Sequence, residues 1–251
     1  LQKTLRNSRV IGITSFFLLI VLSAFNVIRK DTLSFPSSDK LLLTADEYII
    51  EDDNPYILLF HQQQSSRGEY YEIARKLCKM DYNCLAVDIR NGGNDNNVSN
   101  ETVKLCREKR CSLGLENVEG DILSAINYAF EKSNKPVILF GSGANASLCL
   151  KIAKENENVR AVIALSPGEY FMPGLSIRES ISDLKKPIFV SSSRADMPYL
   201  KEIVSGVSGE YVQLFEPQMG EGERGTLSLG NENENSSEYW LDLLLFFKDL
   251  R

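Results

Sequence analysis

From about Leu41 onward, the chain alternates between short, continuous apolar runs and longer segments whose apolar residues recur every three or four positions. The first kind predicts strands at Leu41–Thr44, Tyr56–Phe60, Cys84–Asp88, Val137–Phe140, Ala161–Leu165, Ile188–Ser192 and Tyr211–Phe215. The second predicts helices at Gly68–Met80, Val118–Lys132, Ala144–Asn156, Met197–Ser205 and Ser237–Leu250. Runs such as Ile57–Phe60 and Val162–Leu165 carry no polar alternation, so both of their faces are expected to be buried, as in a parallel sheet covered by helices. Strand and helix alternating along one chain give an α/β fold with a doubly wound, mostly parallel sheet. The final helix, with Tyr239, Trp240, Leu243, Leu244, Phe246 and Phe247, is expected to pack its apolar face on that sheet.

The N-terminus breaks this pattern. Val10–Ile28 contains no charged residue; Lys3, Arg6 and Arg9 precede it and Arg29-Lys30 follow. Nineteen helical residues span about 28 Å, the thickness of a hydrocarbon core. A cleaved signal peptide competes with this reading, with Leu22-Ser-Ala24 as its poor cleavage site. The length of the run and the charges at both ends favour a retained membrane anchor. The expected division is therefore an anchor at 1–30, a polar linker at 31–40 and a globular domain at 41–251. The basic residues ahead of the span place the N-terminus inside and the domain on the opposite side, a periplasmic, extracellular or lumenal equivalent. Leu1 in place of Met suggests a processed or truncated start.

Charge sharpens the contrast. The first thirty residues hold five basic and no acidic side chains, and the rest holds 23 basic against 34 acidic, a net of −11. That balance argues against nucleic-acid binding, which needs a basic footprint. Five cysteines allow two disulfides at most. Cys106 and Cys111 share a polar loop and could pair in an oxidising compartment, and Cys78 and Cys84 flank a helix-to-strand turn and could form a second bridge. Cys149 falls on a buried helix. No Cys/His cluster with metal-ligand spacing exists, so neither a metal nor a cofactor is expected. Four Asn-x-Ser/Thr triplets, at Asn97, Asn100, Asn145 and Asn235, read as chance in an Asn-rich chain, and Asn145 is expected to be inaccessible.

Three linked segments carry candidate chemistry. Tyr56-Ile-Leu-Leu-Phe-His-Gln-Gln63 is a strand running into a His-Gln turn. Gly68–Leu77 followed by Asp81–Arg90 is a helix and the next strand, ending in Asp-x-Arg. Phe140-Gly-Ser-Gly-Ala-Asn-Ala-Ser147 is a strand entering a small-residue turn and a helix, and Val162–Phe171 follows it. In this order the segments resemble the α/β-hydrolase superfamily, in its dienelactone-hydrolase-like branch, and are similar to small hydrolase-like proteins of Bacteroidetes-type bacteria. The resemblance covers about Leu41 to Leu250. It implies a G-x-S-x-G elbow that lifts a serine nucleophile to the top of the sheet. Aligned on Gly141, the nucleophile position is Gly143. The resemblance places the acid after the sixth predicted strand, at Asp196, and the histidine before a Gly-Thr pair, where this chain has Arg224. The degenerate triad is thus Gly143, Asp196, Arg224.

The one histidine, His61, lies on the oxyanion side and reads as a turn residue bonding backbone. Ser142 is the nearest alternative nucleophile, but using it would put Phe140 where the turn needs a small residue. His61, Gln62, Ser142 and Ala144 are the candidate cleft or oxyanion residues. The expected function is a membrane-anchored, catalytically inactive hydrolase-like protein serving as a structural or interaction subunit, with other protein subunits as partners. Two alternatives stand beside it: an ester or thioester hydrolase with a displaced nucleophile, and a small-ligand module that kept the cleft.

Overall fold

The computed structural model describes residues 27–250. Its centre is one eight-stranded sheet. Chain order gives β1 (Arg29–Pro36), β2 (Leu42–Ile49), β3 (Tyr56–Phe60), α1 (Tyr71–Cys78), β4 (Asn83–Val87), and a two-residue ladder of β5 (Asn94–Asp95) and β6 (Val98–Ser99). It continues through α2 (Glu101–Lys109), α3 (Leu115–Ser133), β7 (Val137–Ser142), α4 (Ala144–Glu155), β8 (Val159–Leu165) and α5 (Ile177–Ser180). Last come β9 (Ile188–Ser191), α6 (Met197–Ile203), β10 (Val212–Phe215) and α7 (Ser236–Asp249). The strands lie in the order β1-β2-β4-β3-β7-β8-β9-β10. Strands β3, β4 and β7 to β10 run parallel, and β1 and β2 add an antiparallel hairpin at one edge.

The central strands read as unbroken apolar runs because each has two buried faces. Leu58 and Phe60 of β3 join a core on one side with Ile122 and Ile126 of α3 and Leu148 of α4. Ile57 and Leu59 join a second core on the other side with Ile73 of α1 and Leu243, Phe246 and Phe247 of α7. Burying each such side chain contributes about 1.5–3 kcal/mol, so the two clusters fix the sheet between its helix layers.

Several sequence expectations are corrected. The linker expected at 31–40 is largely strand: Arg29–Pro36 pairs residue for residue with Leu42–Ile49, and Phe35 is buried in the core. Its polar alternation is that of an edge strand with one solvated face, not of a tether. The polar loop expected around Cys106 is helix α2, which Asn100 starts by accepting the Val103 amide at 2.8 Å. Cys106 and Cys111 form a disulfide, but Cys78 and Cys84 are free thiols. Each of those two donates to a backbone carbonyl, Tyr48 and Ala74 respectively, inside the apolar layer under α1. On α7, Leu244 is exposed with Leu241 and Leu245, and only Tyr239, Leu243, Phe246 and Phe247 are buried. Residues 10–26 of the expected membrane span lie outside the described residues, while Ile28 packs against the second core. Among the described residues no helix is long and apolar enough to cross a membrane.

One buried ion pair ties the loop after β4 to α3. Arg90 and Asp121 are both fully buried. The guanidinium holds the carboxylate through Nε at 2.9 Å and Nη2 at 2.6 Å, and reaches Asp39 through Nη1 at 2.8 Å. Such a pair adds little over an apolar replacement, but removing one partner strands the other charge. Asp121→Ala leaves Arg90 with Asp39 as its remaining carboxylate partner, so the expected destabilisation is about 3 kcal/mol, the low end for a broken buried pair, read as a shift of the urea midpoint at unchanged m-value.

Candidate functional site

The site forms where the parallel strands end. At the close of β7 the chain must turn back sharply into α4. A Cβ on Gly141 would lie 2.6 Å from the Ala146 Cα, so only glycine lets the helix approach the strand this closely. The turn is completed at Gly143, whose φ of 59° and ψ of −130° are the strained geometry of a nucleophile elbow. A Cβ on Gly143 would meet only the Gln62 Cβ, at 3.6 Å. The geometry and space for a nucleophile are thus present, and the side chain is missing. Position 145, where the elbow motif has its second glycine, holds a buried Asn145 whose amide donates to the His61 carbonyl and accepts from Asn91 at 2.9 Å.

Asp196 stands in the turn that follows β9. Its carboxylate accepts from Ser192 Oγ at 2.7 Å, Ser193 Oγ at 2.9 Å and Arg224 Nε at 2.7 Å, and also from Arg224 Nη2. The Arg224 guanidinium is the chief cause that holds this carboxyl down to about 2. Gly225, next along the chain, sits against the elbow. A Cβ there would fall 2.6 Å from Ser142 Oγ, and its φ of 56° also requires glycine. Its amide donates to Ser166 Oγ at 2.7 Å, and Ser166 and Ser192 share a hydroxyl contact at 2.8 Å that leads back to Asp196. The structure therefore gathers Gly143, Asp196 and the Arg224-Gly225 loop at one end of the sheet.

The remaining candidates sit elsewhere in function. Ser142 Oγ is completely buried and, among the described residues, has no hydrogen-bond partner, neither base nor acceptor. His61 is also completely buried. Its Nε2 accepts from the Ile89 amide at 3.0 Å, which puts the proton on Nδ1, and Nδ1 donates to the Gln62 carbonyl at 2.7 Å. Burial pushes its pKa down, so it is a neutral structural residue of the turn. The Gln62 amide, expected as half of an oxyanion hole, donates instead to Glu69 Oε2 at 2.9 Å. Ala144 is the first residue of α4, where amides have no intrahelical acceptor.

Sequence reasoning missed Glu69, Thr226, Ser166 and Ser192. Glu69 Oε1 accepts from Thr226 Oγ1 at 2.7 Å, joining the turn after β3 to the loop before α7. Burial pushes the Glu69 carboxyl up. Both residues line a cleft of about 690 Å³ with Gln62, Tyr71, Asp95 and Leu229. Ser166 has a φ of 55°, a left-handed position rare for a residue with a side chain. The Ser166-Pro-Gly sequence signals a turn, but nothing in it signals the relay to Asp196.

This arrangement of sheet, elbow and strand-end carboxylate decides the architecture. The protein has the α/β-hydrolase fold. Solved structures agree. An esterase from Pyrococcus furiosus superposes with a TM-score of 0.66 at 16% identity, over 88% of this chain and 93% of that one. A dienelactone hydrolase from Anabaena variabilis gives 0.64 at 16% identity, over 87% and 95%. An esterase from Pyrobaculum calidifontis gives 0.60 at 11% identity, over 89% and 86%. At these identities the likeness concerns the fold. No protein-family model and no curated protein sequence matches the chain.

Within this hydrolase fold, the Arg224–Asp196 pair has a measurable signature. A carboxyl whose folded pKa is depressed adds stability above its unfolded value, here 3.8. That contribution is lost as pH falls through the folded value of about 2. Arg224→Ala is expected to raise the Asp196 pKa toward 3.8, short of full return because Ser192 and Ser193 still donate. Carboxyl-carbon NMR titration reads this directly; an unmoved Asp196 would mean that the ion pair does not form in solution.

Proposed function

We propose that this chain is a non-hydrolytic α/β-hydrolase-fold protein, held at a membrane by its N-terminal segment and acting there as an interaction subunit rather than by cleaving bonds. One observation carries the reading: the nucleophile position is a glycine, and the base position is an arginine clamped on the acid. In a serine triad the histidine takes the serine proton and returns it to the leaving group while the carboxylate holds the ring. Glycine has no oxygen to deprotonate, and a guanidinium stays protonated and cannot act as a base. Backbone donors alone leave an acceleration of about 10³–10⁴ over water. The displaced-nucleophile alternative needs a reachable Ser142 with a base beside it, and that hydroxyl is buried and unpartnered. The cleft of about 690 Å³ favours a second role, small-molecule binding.

A fluorophosphonate probe is expected to leave the purified protein unlabelled. Gly143→Ser with Arg224→His together, and neither alone, are expected to restore labelling at residue 143. Adduct formation on Ser142 of the unmodified protein would overturn the non-hydrolytic reading.

The membrane proposal is tested separately. The full-length chain is expected to stay with the membrane fraction through alkaline carbonate extraction, and in mild detergent to migrate on a native gel as a discrete complex larger than the monomer. Release by carbonate would remove the anchor; a monomer on the gel would favour the small-molecule role over the subunit role.

A further inference from the structure

The cleft beside the elbow has an unusual charge inventory. Its cations are already engaged: Lys30 pairs with Asp46 at 2.8 Å, and Lys76 lies 4.8 Å over the Trp240 ring. Arg67, nearby, bridges Asp46 and Asp88. Two acidic groups of the same cleft have only neutral donors. Glu69 is bonded by the Gln62 amide and the Thr226 hydroxyl, and Asp95 by the Ser65 hydroxyl. Among the described residues neither carboxylate has a Lys or Arg partner, although Lys30 and Lys76 line the same cleft. A carboxylate can accept about four hydrogen bonds, so each keeps free acceptor positions. Burial pushes the Glu69 carboxyl up, and a cation beside it is the partner that would favour its charged form. Ile73, Val98 and Leu229 supply apolar wall beside these acids.

We propose that this cleft binds a small organic cation, with an ammonium or guanidinium group held by Glu69 and Asp95 and an apolar body laid against Ile73 and Leu229. A charged N–H donor fills the open acceptor positions with charge-assisted bonds, about twice as strong as neutral ones. A bare metal ion fits less well: among the described residues no three His, Cys, Asp or Glu side chains converge as a ligand set. A carboxylate ligand, the product type of an ester hydrolase, would face two uncompensated negative charges. The inference rests on the small-molecule role proposed above and gives it a ligand class.

The test uses n-hexylammonium, hexanol and hexanoate as probes in calorimetric titrations of the full-length protein in detergent. Hexylammonium is expected to bind at least about tenfold more tightly than hexanol, the ratio equivalent to one charged hydrogen bond, and hexanoate more weakly than either. Glu69→Gln and Asp95→Asn are each expected to weaken hexylammonium about tenfold and to leave hexanol unchanged. Circular dichroism checks folding; if Glu69→Gln does not fold, Asp95→Asn decides. Equal binding of amine and alcohol, preference for hexanoate, no binding of any probe, or full amine affinity in a folded variant would overturn the cation site. Turnover of a choline ester by the unmodified protein would instead overturn the non-hydrolytic reading and leave the cation site standing, so the two failures are distinguishable.

Discussion

The close approach of α4 to β7 at Gly141 and Ala146 is the constraint on which the site depends. With the helix backbone inside contact distance of residue 141, the chain has a single residue in which to reverse, and that residue must take a positive φ. In an active hydrolase a serine occupies this conformation, and strain of about 1–3 kcal/mol is held by the surrounding packing. Glycine adopts it without that strain. The elbow is therefore a consequence of helix–sheet packing rather than of the nucleophile, which is why it persists here without one. At this position glycine is the locally relaxed choice.

A second consequence concerns charge. A histidine beside Asp196 would leave the pair's charge dependent on pH near neutrality. Arginine removes that dependence: the Arg224 guanidinium is permanently charged, its Nε and Nη2 both engage one carboxylate, and Ser192 and Ser193 complete the acceptor set. The pair lies where a proton shuttle would stand and can shuttle nothing. It also neutralises the strand-end acid, so the unbalanced negative charge at this end of the sheet sits across the elbow, at Glu69 and Asp95.

The parallel core was legible because its strands have two apolar faces, and the elbow because glycine spacing and strand context coincide at Phe140–Ser147. Asp196 and Arg224 were placed by the family resemblance rather than by any local pattern, and the structure pairs them. What escaped the sequence has a common physical cause: contacts set by distant parts of the chain. Strand β1 looks like a tether because an edge strand with one wet face is as polar as a loop, and only pairing with β2 distinguishes them. Helix α2 was hidden by its charged surface, although Asn100 and the Val103, Cys106 spacing carried its signal. The bond between Glu69 and Thr226 joins residues 157 positions apart, and no local pattern encodes it.

The register of the edge hairpin adds a geometric relation between the N-terminal segment and the cleft. Arg29 pairs with Ile49, and Tyr48 pairs with Cys84 near the start of β4. Gln62, Gly143 and Asp196 follow the ends of β3, β7 and β9. The chain thus joins the sheet at the end opposite the degenerate site, and β1 rises eight residues, about 26 Å at strand pitch, along the sheet edge. Pairing throughout those eight residues leaves no slack between the first strand and the domain. Lys30, the residue after Arg29 along β1, reaches Asp46 at 2.8 Å and lines the cleft together with Glu69 and Tyr71. The first strand therefore closes the sheet edge and also supplies part of the cleft wall, so its pairing with β2 fixes the shape of both.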